Sequence, residues 1–478
     1  MIGIMRESNV LPFLGGRLSK LMRKHHVPGA QLAIHHQGET VTLEASGELE
    51  QHTGRRVTGD TAFPIGSISK SFTATLAMIL VADGDLELDV PIERYLPGMD
   101  DLGSQFTLRH LLSHTSGLNC GPDSVDVFGA SPRRYVADHC RYEDLVVRPG
   151  TAFSYSNTGY VLVGHLIETV TGMTWWEAME SILLRPLGID PAFVGASGHQ
   201  PSVRPIAVGH SVNAVTGRTR AVAQSLAAAE APTGGLAVSA SDLVALGRLH
   251  IDLGMPDLLP ADVAAQMRTA VRGADPSGLA EGWGLGLAVF GAGTASADQQ
   301  AVCESGLPSA DQPAEDWVGH DGNANGTACY LRVSPEDGWV VAFTSNANTG
   351  YGLWQELVAE LAQTNVPIGR SSAVVNAQPT SPAVGSAGTF ANGDVEYVVA
   401  ARPDGHRYLA VDGDAFARLR CYEDLTFSTR DPNSGGQVLS GRFLKDPVTK
   451  RINAIQVGGR HASRHTPFTH DGGRRLVA

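Results

Sequence analysis

The sequence predicts an α/β protein of the broad α+β kind, with a mostly antiparallel sheet flanked by helices and a small all-β unit after it. Three observations carry this. Strand-like runs lie at both ends of residues 1–365, with a mainly helical insert between them. Regular strand–helix alternation, the mark of a parallel sheet, is missing. Beyond residue 387, short alternating runs recur about every ten residues, punctuated by Gly and Asp, as in a small barrel or sandwich.

Residues 8–26 have amphipathic helical spacing and stop before Val27-Pro28-Gly29. Two strand-like runs follow, Ala30–His36 and Thr40–Ser46, joined by Gln37-Gly38-Glu39. An apolar run, Ser71–Leu80, reads as a buried helix that Ser67 opens and Asp83-Gly84 ends. Helical segments are expected at Leu108–His114, Gly159–Thr171, Thr174–Leu184, Ala240–His250 and Tyr351–Gln363, and strands at Gly282–Phe290, Trp317–Gly319, Thr327–Val333 and Trp339–Ser345. Residues 291–316 read as a long mobile loop and 366–387 as a linker. The chain thus divides into a first domain, 1–365, the linker, and a domain at 388–478. The latter has strands at Asp394–Ala400, Arg407–Val411, Ala417–Cys421, Leu425–Thr429, Val438–Leu444 and Ile452–Val457.

Composition narrows the function. The 478 residues carry a net charge of −13, with no basic stripe able to neutralise phosphates, so nucleic acid is not an expected partner. The first ten residues lack the apolar core of a signal peptide, and no apolar run reaches membrane-spanning length. The five cysteines are scattered, with no C-x-x-C to suggest a zinc ribbon or disulfide frame. The expectation is a cytoplasmic protein that needs no metal or cofactor and has no membrane partner. His110 and His114 are four apart but lack the Glu and third ligand of a metal centre. No G-x-S-x-G elbow is present.

Chemistry concentrates in three short motifs. Ser67-Ile68-Ser69-Lys70 places a hydroxyl and an amine one helical turn apart. A helix N-terminus there offers a backbone N–H to an oxyanion formed at Ser67. Burial lowers a lysine pKa, so Lys70 can take the Ser67 proton. Tyr155-Ser156-Asn157 supplies a phenol able to act as base or proton relay, and an amide able to orient Lys70 or hold a substrate carbonyl. His320-Asp321-Gly322-Asn323 precedes a strand. It offers the Asn323 N–H as a second oxyanion donor, Gly322 for close backbone approach, and His320 as a polar contact to substrate or Tyr155. Gly234 and Gly235, in Thr233-Gly234-Gly235, are candidates for the edge of a substrate cleft.

Taken in order, S-x-x-K, Y-S-N and H-x-G resemble the serine β-lactamase and penicillin-binding protein superfamily over residues 10–365. Supporting segments are Phe63–Phe72, Thr107–Leu118, Phe153–Tyr160, Pro186–Ile189 and Pro232–Ala237. The resemblance implies a β-lactamase/transpeptidase-like fold. It also implies a covalent acyl-Ser67 intermediate, with Ser67, Lys70, Tyr155, Asn157 and His320 catalytic and the Ser67 and Asn323 N–H groups as oxyanion hole. Many β-lactamases carry lysine where His320 stands; histidine looks like the esterase, aminopeptidase and peptide-cyclase branches. With a C-terminal lipocalin-like barrel, the chain looks closest to penicillin-binding-protein-type thioesterases. These cyclise nonribosomal peptides head to tail from a thioester, with a D-residue at the acyl end. The implied partner is then a peptidyl or acyl substrate, carried as a thioester on a carrier protein. A D-stereospecific aminopeptidase or esterase is the alternative, and a non-catalytic peptide sensor is a third.

Overall fold

A computed structural model describes residues 16–465 apart from 100–101, 196–201, 252–253, 292–315, 365, 367, 370–376 and 431–437. The sheet of the larger unit has seven strands: β1 (Gly29–His36), β2 (Glu39–Gly47), β7 (Gly282–Trp283), β8 (Ala288–Phe290), β9 (Trp317–Gly322), β10 (Ala328–Ser334) and β11 (Trp339–Ser345). Their order is β2-β1-β11-β10-β9-β8-β7, and every neighbouring pair is antiparallel. The chain's early strands thus pair with its late ones, and the insert between them projects from one face.

Strand periodicity sorts side chains between two cores. Along β10 and β11, Leu331, Val333, Val340 and Ala342 enter one cluster. Their alternates Tyr330, Val341 and Phe343 enter the other, as a period of two requires. β1, β10 and β11 are buried along their whole length, because helices cover both faces. On one side lie helices Arg17–Lys24 and Gly350–Leu361, tied by Arg17–Glu360 and Lys24–Glu356 ion pairs. On the other lie Ala240–Gly247 and the insert.

The helix Ser69–Ala82 runs through the larger core. Every residue from Ser69 to Leu80 is buried, so its apolar character extends all round. Its interior hydroxyls stay satisfied: Ser71 donates to the Gly286 carbonyl and Thr73 to that of Pro232, each at 2.8 Å. Gly84, at φ +84°, turns the chain away.

Several expectations need correction. Ser67 does not open the α-helix; it sits in a 3₁₀ turn, Gly66–Ile68, that leads into it. Gly282–Phe290 is two strands around a tight turn. Gly286 holds φ +82° there, and a Cβ on it would lie 2.2 Å from the Ala74 Cβ. Close packing on the nucleophile helix, invisible in an alternating pattern, breaks the strand. Thr174–Leu184 changes from α-helix at Trp175–Ala178 to π-helix at Met179–Leu184. The insert also holds two small antiparallel pairings: the distant β3 (Phe63–Pro64) with β6 (Ala237–Val238), and the hairpin of β4 (Gly209–Val212) with β5 (Thr219–Val222). The first helix is described only over Arg17–Lys24, so residues 8–15 lie outside the described residues, as does nearly all of the 291–316 loop.

The second sheet has nine antiparallel strands: β12 (Gly388–Asn392), β13 (Val395–Ala401), β14 (Arg407–Val411), β15 (Asp414–Arg418), β16 (Arg420–Cys421), β17 (Thr426–Arg430), β18 (Val438–Lys445), β19 (Ile452–Val457) and β20 (Arg460–His465). Their order is β15-β14-β13-β12-β20-β19-β18-β17-β16. The sheet curls until β15 meets β17, where Thr429 Oγ1 donates to the Arg418 carbonyl at 3.4 Å. Phe390, Tyr397, Phe427, Phe443 and Ile455 fill its interior. β12 and β20 were not expected from the sequence. β20 reads Arg-His-Ala-Ser-Arg-His, too polar for an alternating run. Its Arg464 guanidinium is instead spent on the Ile452, Ala387 and Gly385 carbonyls. Among the described residues no helix is long and apolar enough to cross a membrane.

Candidate active site

The end of β9 lies against the nucleophile turn. Gly66 has φ +50°, and a Cβ there would stand 2.2 Å from the Asn323 carbonyl oxygen. A Cβ on Gly322 would stand 2.0 Å from that of Ile65. Only glycine permits this approach at either position. It sets the Asn323 backbone beside Ser67, whose own N–H belongs to the first turn and has no intrahelical acceptor. The partly exposed Ser67 therefore stands beside the backbone that follows β9, a setting able to supply a second N–H to an oxyanion.

Lys70 is 1% exposed. Its Nζ lies 3.2 Å from Ser67 Oγ and donates to the Thr233 carbonyl at 2.9 Å. Burial pushes its pKa down to about 7; the Arg460 charge pushes the same way and the Glu230 carboxylate opposes both. An amine that is half neutral near pH 7, in contact with a serine hydroxyl, can take its proton.

Tyr155 covers this pair, its ring centroid 5.1 Å from Lys70 Nζ. Burial pushes its phenol up to about 12, against the lowering influence of Ser67 and Arg460. The resting group is therefore a phenol, suited to passing a proton rather than to taking the first one. Its hydroxyl is turned toward Ser67 but makes no hydrogen bond of normal geometry. His114 packs beneath it at 4.3 Å between centroids, and Trp283 stands edge-on at 5.8 Å. His114 also holds the segment in place: its carbonyl accepts from the Ser154 N–H at 2.9 Å and its Nδ1 from the Ser156 N–H at 3.2 Å.

His320, 3% exposed, presents its ring 6.3 Å from that of Tyr155. Nδ1–H donates to the Asp321 carbonyl at 2.6 Å, which leaves Nε2 as an acceptor with no partner. Burial and the Lys70 charge hold its pKa down to about 4, so the ring is neutral at pH 7.

The structure therefore gathers Ser67, Lys70, Tyr155, His320, Gly322 and the Asn323 backbone. Gly234 and Gly235 follow Thr233 at the same border; a Cβ on Gly234 would lie 3.9 Å from the Gly66 carbonyl carbon. Asn157 is the first residue of the helix Asn157–Thr171, capped by Ser156. Its amide is not a partner of Lys70; the Thr233 carbonyl holds that amine instead.

Three residues were missed in the sequence. Trp283 is 2% exposed, with its ring 5.2 Å from that of His320. Glu230 is 4% exposed, lies in the turn before Ala231–Gly234, and accepts from Ser124 Oγ. Arg460 begins β20 after the Gly458-Gly459 turn, with its guanidinium 5.7 Å from the Tyr155 ring centroid. Its Nε has no partner, and no carboxylate pairs with it among the described residues. A lone arginine in a polar strand gives no signal in sequence; only the docking of the barrel brings it here.

Glu230 provides a direct test of the electrostatics. It raises the Lys70 pKa, so Glu230→Gln moves the acid limb of the Ser67 acylation rate to lower pH. A limb that stays in place or moves up in a pH–rate profile would contradict this.

Comparison with known proteins agrees with the geometry. Residues 16–365 match the family model described as Beta-lactamase. The chain is 34% identical over 375 residues to "Penicillin-binding protein 4" of Amycolatopsis lactamdurans, covering 73% of this chain and 90% of that one. It is 28% identical over 297 residues to "Esterase EstB" of Burkholderia gladioli, covering 55% and 76%. The crystal structure of SurE matches with a TM-score of 0.79 and 38% identity over 95% of this chain and 98% of that one. An octameric penicillin-binding protein homologue from Pyrococcus abyssi shares the fold, at TM-score 0.60 and 22% identity over 95% and 99%. The chain belongs to the Beta-lactamase family, within the superfamily of serine β-lactamases and penicillin-binding proteins.

Proposed function

We propose that this protein is a serine acyltransferase that cyclises a peptide head to tail from a carrier-bound thioester, with a D-residue at the acyl end. The observation that carries the chemistry is the buried Lys70 amine 3.2 Å from Ser67 Oγ. Ser67 Oγ attacks the thioester carbonyl carbon as its proton passes to Lys70. The oxyanion lies between the Ser67 and Asn323 N–H groups, each worth about 3–4 kcal/mol in such sites. The tetrahedral intermediate collapses, the C–S bond breaks, and the sulfur leaves with a proton relayed from Lys70 through the Tyr155 phenol. The peptide's own terminal amine then attacks the acyl-Ser67 carbonyl. Its surplus proton returns through the same groups to Ser67 Oγ as the ester C–O bond breaks.

Two features favour a D-configured peptidyl substrate over a penicillin. Near-full-length similarity to SurE, whose structure is also known with D-Leu, supports a D-configured acyl residue. A neutral His320 in place of lysine leaves no cation there for a penicillin-type carboxylate. Arg460, whose side chain also hydrogen-bonds Tyr397, instead brings guanidinium N–H donors to the barrel side of the site, suited to a substrate amide carbonyl. Similarity to esterase EstB favours a second reading, a hydrolase acting on esters.

The test is a linear peptide bearing an N-acetylcysteamine thioester on a C-terminal D-Leu, with products read by mass spectrometry. The expected product is the macrolactam, absent with Ser67→Ala and with a C-terminal L-Leu. Linear acid from every such substrate would leave the hydrolase.

A further inference from the structure

The segment that carries Tyr155 is held between two parts of the chain that are far apart in sequence. The loop 114–120 grips one side. Besides the His114 contacts, Ser156 Oγ donates to the Asn119 carbonyl at 2.6 Å and the Asn157 N–H to that of Cys120 at 3.3 Å. The other side is gripped by two turns of the barrel. At the β19–β20 turn the Gly459 carbonyl accepts the Tyr155 N–H at 3.0 Å. At the β12–β13 turn, Asn392 is 0% exposed and its side-chain hydrogen bonds all leave its own hairpin. Its Oδ1 accepts the Cys120 N–H at 2.7 Å; its Nδ2 donates to Ser154 Oγ at 3.3 Å and to the His461 carbonyl at 2.6 Å. The His461 N–H also donates to Ser154 Oγ at 3.3 Å. Gly393, at φ +59°, lets the turn come close: a Cβ there would stand 3.0 Å from the Asn119 amide.

One buried side chain therefore joins the loop before Tyr155, the residue next to it, and both barrel turns. We propose that Asn392 is a positioning residue for the Tyr155 phenol, acting through Ser154 and Cys120, so that the barrel's two turns form part of the acyl-transfer apparatus. The physical reason is reach. The Tyr155 hydroxyl makes no hydrogen bond of normal geometry, so its placement over Ser67 depends on the ring packing around it and on the backbone that carries it. A displacement of about 1 Å at such a group costs on the order of a hundredfold in rate. A fully satisfied buried amide is also costly to disturb, since each partner it leaves is a buried polar group without a bond.

This inference rests on Ser67 being the acylated residue, and its test keeps the two apart. The rate of Ser67 labelling by a fluorescent alkyl fluorophosphonate is measured in the full-length chain for a double-mutant cycle of Asn392→Ala and Tyr155→Phe. Asn392→Ala is expected to slow labelling about tenfold to a hundredfold, and by less than about twofold once Tyr155 is phenylalanine. Ser154→Ala, a smaller change, repeats the cycle should Asn392→Ala fail to fold, with a smaller effect that again vanishes in the Tyr155→Phe background. Equal slowing in both backgrounds, or none in either, overturns the positioning role. A wild-type chain whose Ser67 is never labelled overturns the acyl-enzyme reading itself.

Discussion

Replacing Lys70 with methionine will lower the acylation rate of Ser67 by about 10³-fold, within the range for losing a positioned general base. It will also stabilise the fold at neutral and acid pH. The folded pKa of about 7 lies below the ordinary 10.5. The unfolded chain therefore binds more protons than the folded one between those values, and stability rises with pH across that window. Below pH 7 the buried charge costs its full amount, and above about pH 10.5 it costs nothing. The gain in Tm of Lys70→Met over wild type should accordingly be largest at pH 6 and smallest at pH 10. The wild-type acylation rate should rise about tenfold per pH unit up to about 7 and then level. The phenol, held up to about 12, adds no basic limb in the ordinary range. An activity loss under tenfold, or a Tm gain that does not fall with pH, would refute this account of Lys70.

Arg460→Met will reduce kcat/KM for a peptidyl thioester by about tenfold to a hundredfold. On the proposed function, that is the loss of a charged hydrogen bond to substrate in a water-poor site. It carries a second signature. Arg460 lowers the Lys70 pKa, so its removal moves the acid limb to higher pH, opposite to Glu230→Gln. The two substitutions alter one lysine from two directions, one from the barrel and one from the insert. An unchanged kcat/KM with an unmoved acid limb would remove Arg460 from the site.

The parts of the site legible in sequence share one property: each is local. Ser67 and Lys70 are one turn apart on a segment whose apolar run marks a helix. Tyr155 precedes a capped helix start, and Gly322 ends a strand. Short-range geometry sets those relationships, and short-range geometry is what residue spacing records. The core strands β1, β10 and β11 were legible for a related reason, since their apolar runs are long enough to stand out from the loops. Polar β20, the split at Gly284–Leu287 and the 3₁₀ turn at Ser67 were not. In each, a tertiary contact overrides the local pattern: carbonyls around Arg464, the nucleophile helix under Gly286, and the β9 backbone against Gly66.

The sequence by itself determined the reactive set, Ser67 with Lys70 and Tyr155, and the sheet made from both ends of the larger unit. Only the tertiary structure decided that the Thr233 carbonyl, rather than Asn157, holds the lysine, that Glu230, Trp283 and Arg460 border the reacting groups, and that Asn392 ties the Tyr155 segment to the barrel. The physical reason is that burial and charge act through space: the Thr233 carbonyl that holds Lys70 and the Arg460 guanidinium beside Tyr155 come from segments far along the chain, and no spacing rule links them.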